Sequence, residues 1–145
     1  MTEGLPQRLA VELERLFLAL VRGPGLPPED DEHRLTATQK LALILLSDRS
    51  PLRLGALAHE MGTTDATASR TVDALETAGL VRREPDPGDR RCVLVAATPR
   101  GLALVAKRRQ RLVSGLARGL AEMAEEDQAR LVALLAQLNE LLDAR

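Results

Sequence analysis

The chain has 145 residues, 45% hydrophobic and 28% charged, with a formal net charge of −1; this is enough chain for one domain with a real core and excludes a disordered polymer. No apolar run exceeds six residues, as in Leu16 to Val21 or Leu41 to Leu46, which excludes a membrane span, and Glu12, Glu14 and Arg15 interrupt the one stretch that could serve as a secretory signal. A cytoplasmic protein is expected, and the lone Cys92 forbids an intrachain disulfide and fits a reducing compartment.

The first predicted element, Leu5 to Val21, sets Leu5, Leu9, Leu13, Leu16, Phe17 and Leu20 at three- and four-residue intervals and reads as an amphipathic helix. Gly23 to Pro28 and the acidic Glu29 to Glu32 then read as a solvated loop. Thr36-Ala37-Thr38-Gln39 has the spacing of a capping box, which starts a second helix running to about Ser47. Ser50-Pro51 breaks the chain, Leu54 to Met61 forms a short third helix, and Gly62 ends it. Thr64 is an N-cap for a fourth helix to about Ala78, with Ala68, Val72 and Leu75 on one face and Gly79 beyond its end. Two helices joined through Gly62-Thr63-Thr64 make a helix-turn-helix pattern.

Val81 to Glu84 and Cys92 to Ala97 are strands separated by the turn formers Pro85-Asp86-Pro87-Gly88-Asp89, so a β-hairpin carries Arg90 and Arg91 near its tip. Thr98-Pro99 opens a long helix through Leu102, Val105, Leu112, Leu116 and Leu120. A last helix, about Glu126 to Asp143, carries Leu131, Leu134, Leu135, Leu138, Leu141 and Leu142, with Asp127 placed to suit its dipole. The expected organisation is a helix and loop over residues 1–34, a central unit over 35–98, and two helices over 99–145, all within one structural domain. Leu5, Leu9, Leu13, Leu16 and Phe17 of the first helix, with Leu131, Leu134, Leu135, Leu138 and Leu142 of the last, are too apolar to face water and are expected to form a homodimer interface.

Charge is unevenly spread. Residues 49–118 hold 13 Lys and Arg against 7 Asp and Glu, whereas the remainder holds 7 against 14. This distribution matters more for a polyanionic partner than the net charge does, although by charge alone these Lys and Arg read first as solvated surface residues.

In the order of its elements the chain resembles the multiple antibiotic resistance regulator (MarR) family along nearly its whole length. The local likeness lies in Leu57-Ala58-His59-Glu60-Met61-Gly62, in Thr67 to Glu76, and in Gly79-Leu80-Val81-Arg82-Arg83. More specific is Asp86-Pro87-Gly88-Asp89-Arg90-Arg91 followed by Cys92 to Thr98, which looks like the family's wing signature, with Ala97 replacing a leucine. Thr63, Ala68 and Thr71 stand where larger aliphatics are usual, so a loosely packed recognition helix is expected; Arg53 stands where Ser or Thr often caps the third helix.

The resemblance implies a mainly α fold with a small hairpin wing, a winged helix-turn-helix flanked by dimerisation helices. It also implies a sequence-specific regulator of double-stranded DNA, a repressor acting at pseudo-palindromic operators and released by a small-molecule effector. Thr64, Asp65, Ala66, Thr67, Ser69 and Arg70 would then surround the leading turns at the major groove; Thr67 suits a thymine methyl, and Arg70 a guanine or a phosphate. Arg91, held by Asp89, would enter the minor groove, while Arg82, Arg83, Arg90 and Arg100 would contact phosphates.

His33, His59 and Cys92 give no metal-site spacing, so neither a metal nor a cofactor is expected. His59 reads as a surface or DNA-backbone residue, and Cys92 as a buried small hydrophobe. No nucleophile or phosphate-loop motif supports an enzyme. The reading from another class is a winged-helix module that binds protein and not DNA.

Overall fold

A computed structural model describes residues 4–22 and 35–144; the expected loop from Gly23 to Glu32 lies outside the described residues. The elements are α1 (Leu5–Arg22), α2 (Ala37–Arg49), β1 (Leu52–Arg53), α3 (Leu54–Glu60), α4 (Asp65–Thr77), β2 (Val81–Pro85), β3 (Val93–Ala97), α5 (Pro99–Leu120) and α6 (Glu125–Asp143).

The local signals act where expected. Thr36 and Gln39 form the full capping box at α2, Oγ1 accepting from the Gln39 amide and Oε1 from the Thr36 amide. Thr64 caps α4 through the Thr67 amide, and Thr98 caps α5 through the Gly101 amide. Gly62 and Gly79, at the ends of α3 and α4, have φ of 63° and 73°, where a side chain would be strained. Several bounds shift by one or two residues. Helix α2 runs two residues past Ser47, whose hydroxyl bonds back to the Ile44 carbonyl, and α6 begins one residue early, with Glu125, Glu126 and Asp127 all in its first turn.

Strand β1 was not expected from sequence. Two residues are too short to show a period, and the strand exists because Leu52 and Arg53 lie opposite Val95 and Leu94. The sheet is antiparallel in the order β1-β3-β2, with Val81 opposite Ala97 and Pro85 opposite Val93.

Ala42, Leu43 and Leu46 of α2 meet Leu57, Val72, Leu75, Leu80, Val81, Val95, Ala97 and Val105 in one buried cluster. A fully buried leucine there contributes about 1.5–3 kcal/mol relative to exposure, so this core holds α4 and the hairpin in one unit. Among the described residues, none of α1 or α6 belongs to it. Helix α5 docks through Val105 and through Gly101, where a Cβ would collide with the Leu80 carbonyl and lie 3.2 Å from Leu43 Cδ1. At the far end of α5, Gln128 Nε2 donates to the carbonyls of Leu120 and Met123 at 2.9 and 3.0 Å, closing the turn into α6.

Candidate nucleic-acid interface

Helix α4 is fixed by its back and free at its front. Ala68, Thr71, Val72 and Leu75 are buried, whereas Thr64, Asp65, Ala66, Thr67 and Arg70 are exposed. The looser packing expected at Ala68 and Thr71 is not observed. Ala68 is wholly buried, and Thr71, 7% exposed, satisfies its hydroxyl by donating to the Thr67 carbonyl at 2.9 Å. Small residues here let the helix lie close to the core. The Thr64 hydroxyl also donates to Thr67 Oγ1 at 3.0 Å, which orders the leading turn.

The wing tip is built from carboxylates acting on backbone. Asp86 Oδ1 accepts from the Gly88 amide at 2.8 Å, and Asp89 Oδ1 accepts from the Arg91 amide at 3.0 Å. The Asp86 amide bonds the Cys92 carbonyl, and the Cys92 amide bonds the Asp89 carbonyl. Asp89 therefore positions Arg91 through its main chain and not through its guanidinium, because its oxygens are turned into the loop. The side chains of Arg90 and Arg91 are exposed at this tip, and among the described residues neither guanidinium has a protein partner.

Arg53 supplies a contact that the sequence did not reveal. It gives α3 no side-chain cap; instead its Nε and Nη2 both lie 2.7 Å from Asp86 Oδ2, across 33 residues. The Gly88 amide above all, and then Arg53, hold the Asp86 carboxyl below its ordinary pKa against the desolvation that pushes it up. The only advance signal was Arg53 standing in a cap position it cannot fill.

Arg83 and Ser69 also depart from expectation. The Arg83 side chain is 24% exposed and bonds Asp73 and Glu76 of α4 together with the Ser69 carbonyl and hydroxyl. Its guanidinium is thus committed within the protein, and Ser69 lies on the flank of α4 beside β2. A legible sign was Asp73-x-x-Glu76 on one helical flank. Arg82, more exposed, lies 3.3 Å from Glu84. Arg100 stands exposed in the first turn of α5 and has interactions of its own.

Cys92 is half-buried, not the fully buried hydrophobe expected, since its Sγ lies 3.6 Å from Asp89 Oδ2 near the surface. Burial first, and then the Asp89 carboxylate, push its thiol pKa up, which disfavours the reactive thiolate. His59 is exposed on α3. Among the described residues no cluster of His, Cys, Asp and Glu could hold a metal ion, and no helix is long and apolar enough to cross a membrane.

Comparison with known proteins places this geometry. The model of the MarR family matches residues 35–93, from the start of α2 to the hairpin. The HTH-type transcriptional repressor NicR of Pseudomonas putida is 38% identical over 72 residues, 50% of this chain and 46% of NicR, so the chain matches about half the length of that relative. The crystal structure of RV1404 from Mycobacterium tuberculosis is 28% identical and superposes with a TM-score of 0.80 over 97% of this chain and 95% of that one. A probable transcriptional regulator from Pseudomonas aeruginosa, 27% identical, superposes at 0.66 over 94% of this chain and 97% of its own. The family match falls on the helix-turn-helix and wing, and the flanking helices follow the same path as in RV1404: over residues 35–93 the chain is similar to the MarR family.

Proposed function

We propose that this protein is a sequence-specific double-stranded DNA-binding transcriptional regulator, a homodimeric repressor released from its operator by a small molecule. The observation that carries the reading is the juxtaposition of an exposed leading turn on α4, whose back is locked in the core, with unpaired arginines at the tip of an ordered wing. The first suits a major groove, where Thr67 and Arg70 can meet base edges. The second suits a narrow minor groove, where negative potential attracts Arg91 and Arg90.

A twofold dimer would set two such units on successive turns of a pseudo-palindrome, with half-site centres about 34–36 Å apart. Binding there occludes a promoter. The effector is the least specified partner; with Phe17 as the one aromatic residue of the chain, aliphatic and charged contacts must dominate its recognition.

Selection of bound sequences from random duplex DNA tests the reading. A twofold-symmetric motif with that spacing is the expected product. Recovery of no enriched motif, with no duplex binding at low salt, would move the protein-interaction reading ahead.

A further inference from the structure

Arg83 joins two elements that a DNA reader must hold at a fixed angle. From β2 its Nη2 reaches Asp73 Oδ1 of α4 at 2.7 Å and the Ser69 carbonyl at 3.2 Å, while Nη1 reaches Glu76 Oε1 at 3.1 Å. The Arg83 main-chain amide donates to the other Glu76 oxygen at 3.1 Å. One residue thus spans nearly two turns of the recognition helix with its side chain and ties the strand backbone to the same helix. The covalent link between α4 and β2 is short, turns through Gly79 at φ 73°, and is closed by the Gly79 and Leu80 amides on the Glu76 and Leu75 carbonyls; Arg83 adds a tie farther along both elements.

We infer that Arg83 is a positioning residue for operator recognition, one that braces α4 against the wing so that both grooves are read in register, and that it is not a phosphate ligand. The inference rests on the DNA-binding reading above. Two carboxylates already surround the guanidinium, and its 24% exposure leaves little surface for a phosphate. Its planar fork satisfies acceptors on three residues of one helix, a geometry that lysine cannot reproduce.

Affinities for the selected operator and for a scrambled duplex, measured across salt concentrations, separate the two roles in the full-length protein. Both Arg83→Lys and Arg83→Gln are expected to lower the operator-to-scrambled affinity ratio by about tenfold, the scale of one misplaced base contact, and to leave the salt slope on scrambled duplex unchanged. A phosphate ligand would behave otherwise: lysine would substitute for it, and glutamine would weaken both duplexes alike and flatten the slope by about 0.9 per subunit. Asp73→Asn separates the two roles through the ratio. It removes a brace and should lower the ratio, whereas freeing a phosphate ligand from its carboxylate should raise affinity for both duplexes alike and leave the ratio unchanged. If Arg83→Gln fails to melt cooperatively, Arg83→Lys and Asp73→Asn still decide the matter. Retention of the ratio by Arg83→Lys overturns the inference. A wild-type protein unable to distinguish the duplexes overturns the DNA-binding reading itself, and that outcome is visible before any variant is compared.

Discussion

Arg70 and Arg91 are both exposed, but different supports aim them: a helix locked in the core carries Arg70, and a turn bonded by Asp89 carries Arg91. Their removal should therefore be felt at different base pairs. Arg91→Ala is expected to weaken operator binding and relax the preference for A·T pairs at the outer flanks, whereas Arg70→Ala alters preference nearer each half-site core. Each lost phosphate contact also flattens the plot of log affinity against log salt by about 0.9, doubled when both subunits lose one. Affinity, flank preference and salt slope all unchanged in Arg91→Ala would remove the wing from the interface. Asp86 yields a prediction in pH. Its folded pKa is depressed, so the stability it contributes is complete above the ordinary aspartate value and is lost as pH falls through the folded one. Asp86→Asn should melt lower than wild type at neutral pH, and the gap should close towards the acid end; a gap independent of pH would mean that the Arg53–Asp86 pair contributes nothing through its charge.

At the scale of elements, the junction of α5 with the winged unit depends on one missing side chain. Thr98 donates its hydroxyl to the Gly79 carbonyl at 2.7 Å and its amide to the Leu80 carbonyl at 3.0 Å, which draws the start of α5 so close to Leu80 that only glycine fits at position 101. Gly101→Ala should cost about 1–3 kcal/mol by overpacking, seen as a fall in Tm of a few degrees or more. Gly55→Ala is the contrasting case. No heavy atom lies within 4 Å of the added methyl on α3, so the gain in helix propensity should raise stability by about 0.5–1 kcal/mol. Opposite signs at these two glycines separate the demand for close approach from the general cost of glycine in a helix.

At the scale of the whole molecule, two helices leave large apolar side chains in water. Exposed apolar side chains line α1 and α6, including Leu5, Phe17, Leu134 and Leu142, each more than half exposed. Leu9, Leu13, Leu16, Leu131 and Leu135 are also exposed, and Leu138 is half-buried. Pairing these helices between two copies would cover them and bring two wings onto one duplex. The double variant Leu135→Asp with Leu138→Asp would bury unpaired carboxylates at such an interface, a cost of several kcal/mol. A monomer or misfolded chain by light scattering, with operator affinity lost, is the expected result; a stable double-variant dimer would place the interface elsewhere.

Where the controlling interactions lie within about four residues, the sequence alone was sufficient. The capping box at Thr36, the caps at Thr64 and Thr98, the left-handed glycines at 62 and 79 and the order of helices and hairpin all belong to that class. The outward front of α4 and the arginine-bearing wing tip were legible for the same reason, since helical period and turn chemistry assign faces locally. Tertiary structure alone decided that Leu52 and Arg53 become a strand, that Arg53 serves Asp86 and not a cap, that Arg83 turns inward to α4 and that Gly101 must stay bare. Each of these depends on the angle and distance at which elements remote in the chain meet. That geometry is set by packing of the shared core, and no spacing within one segment encodes it.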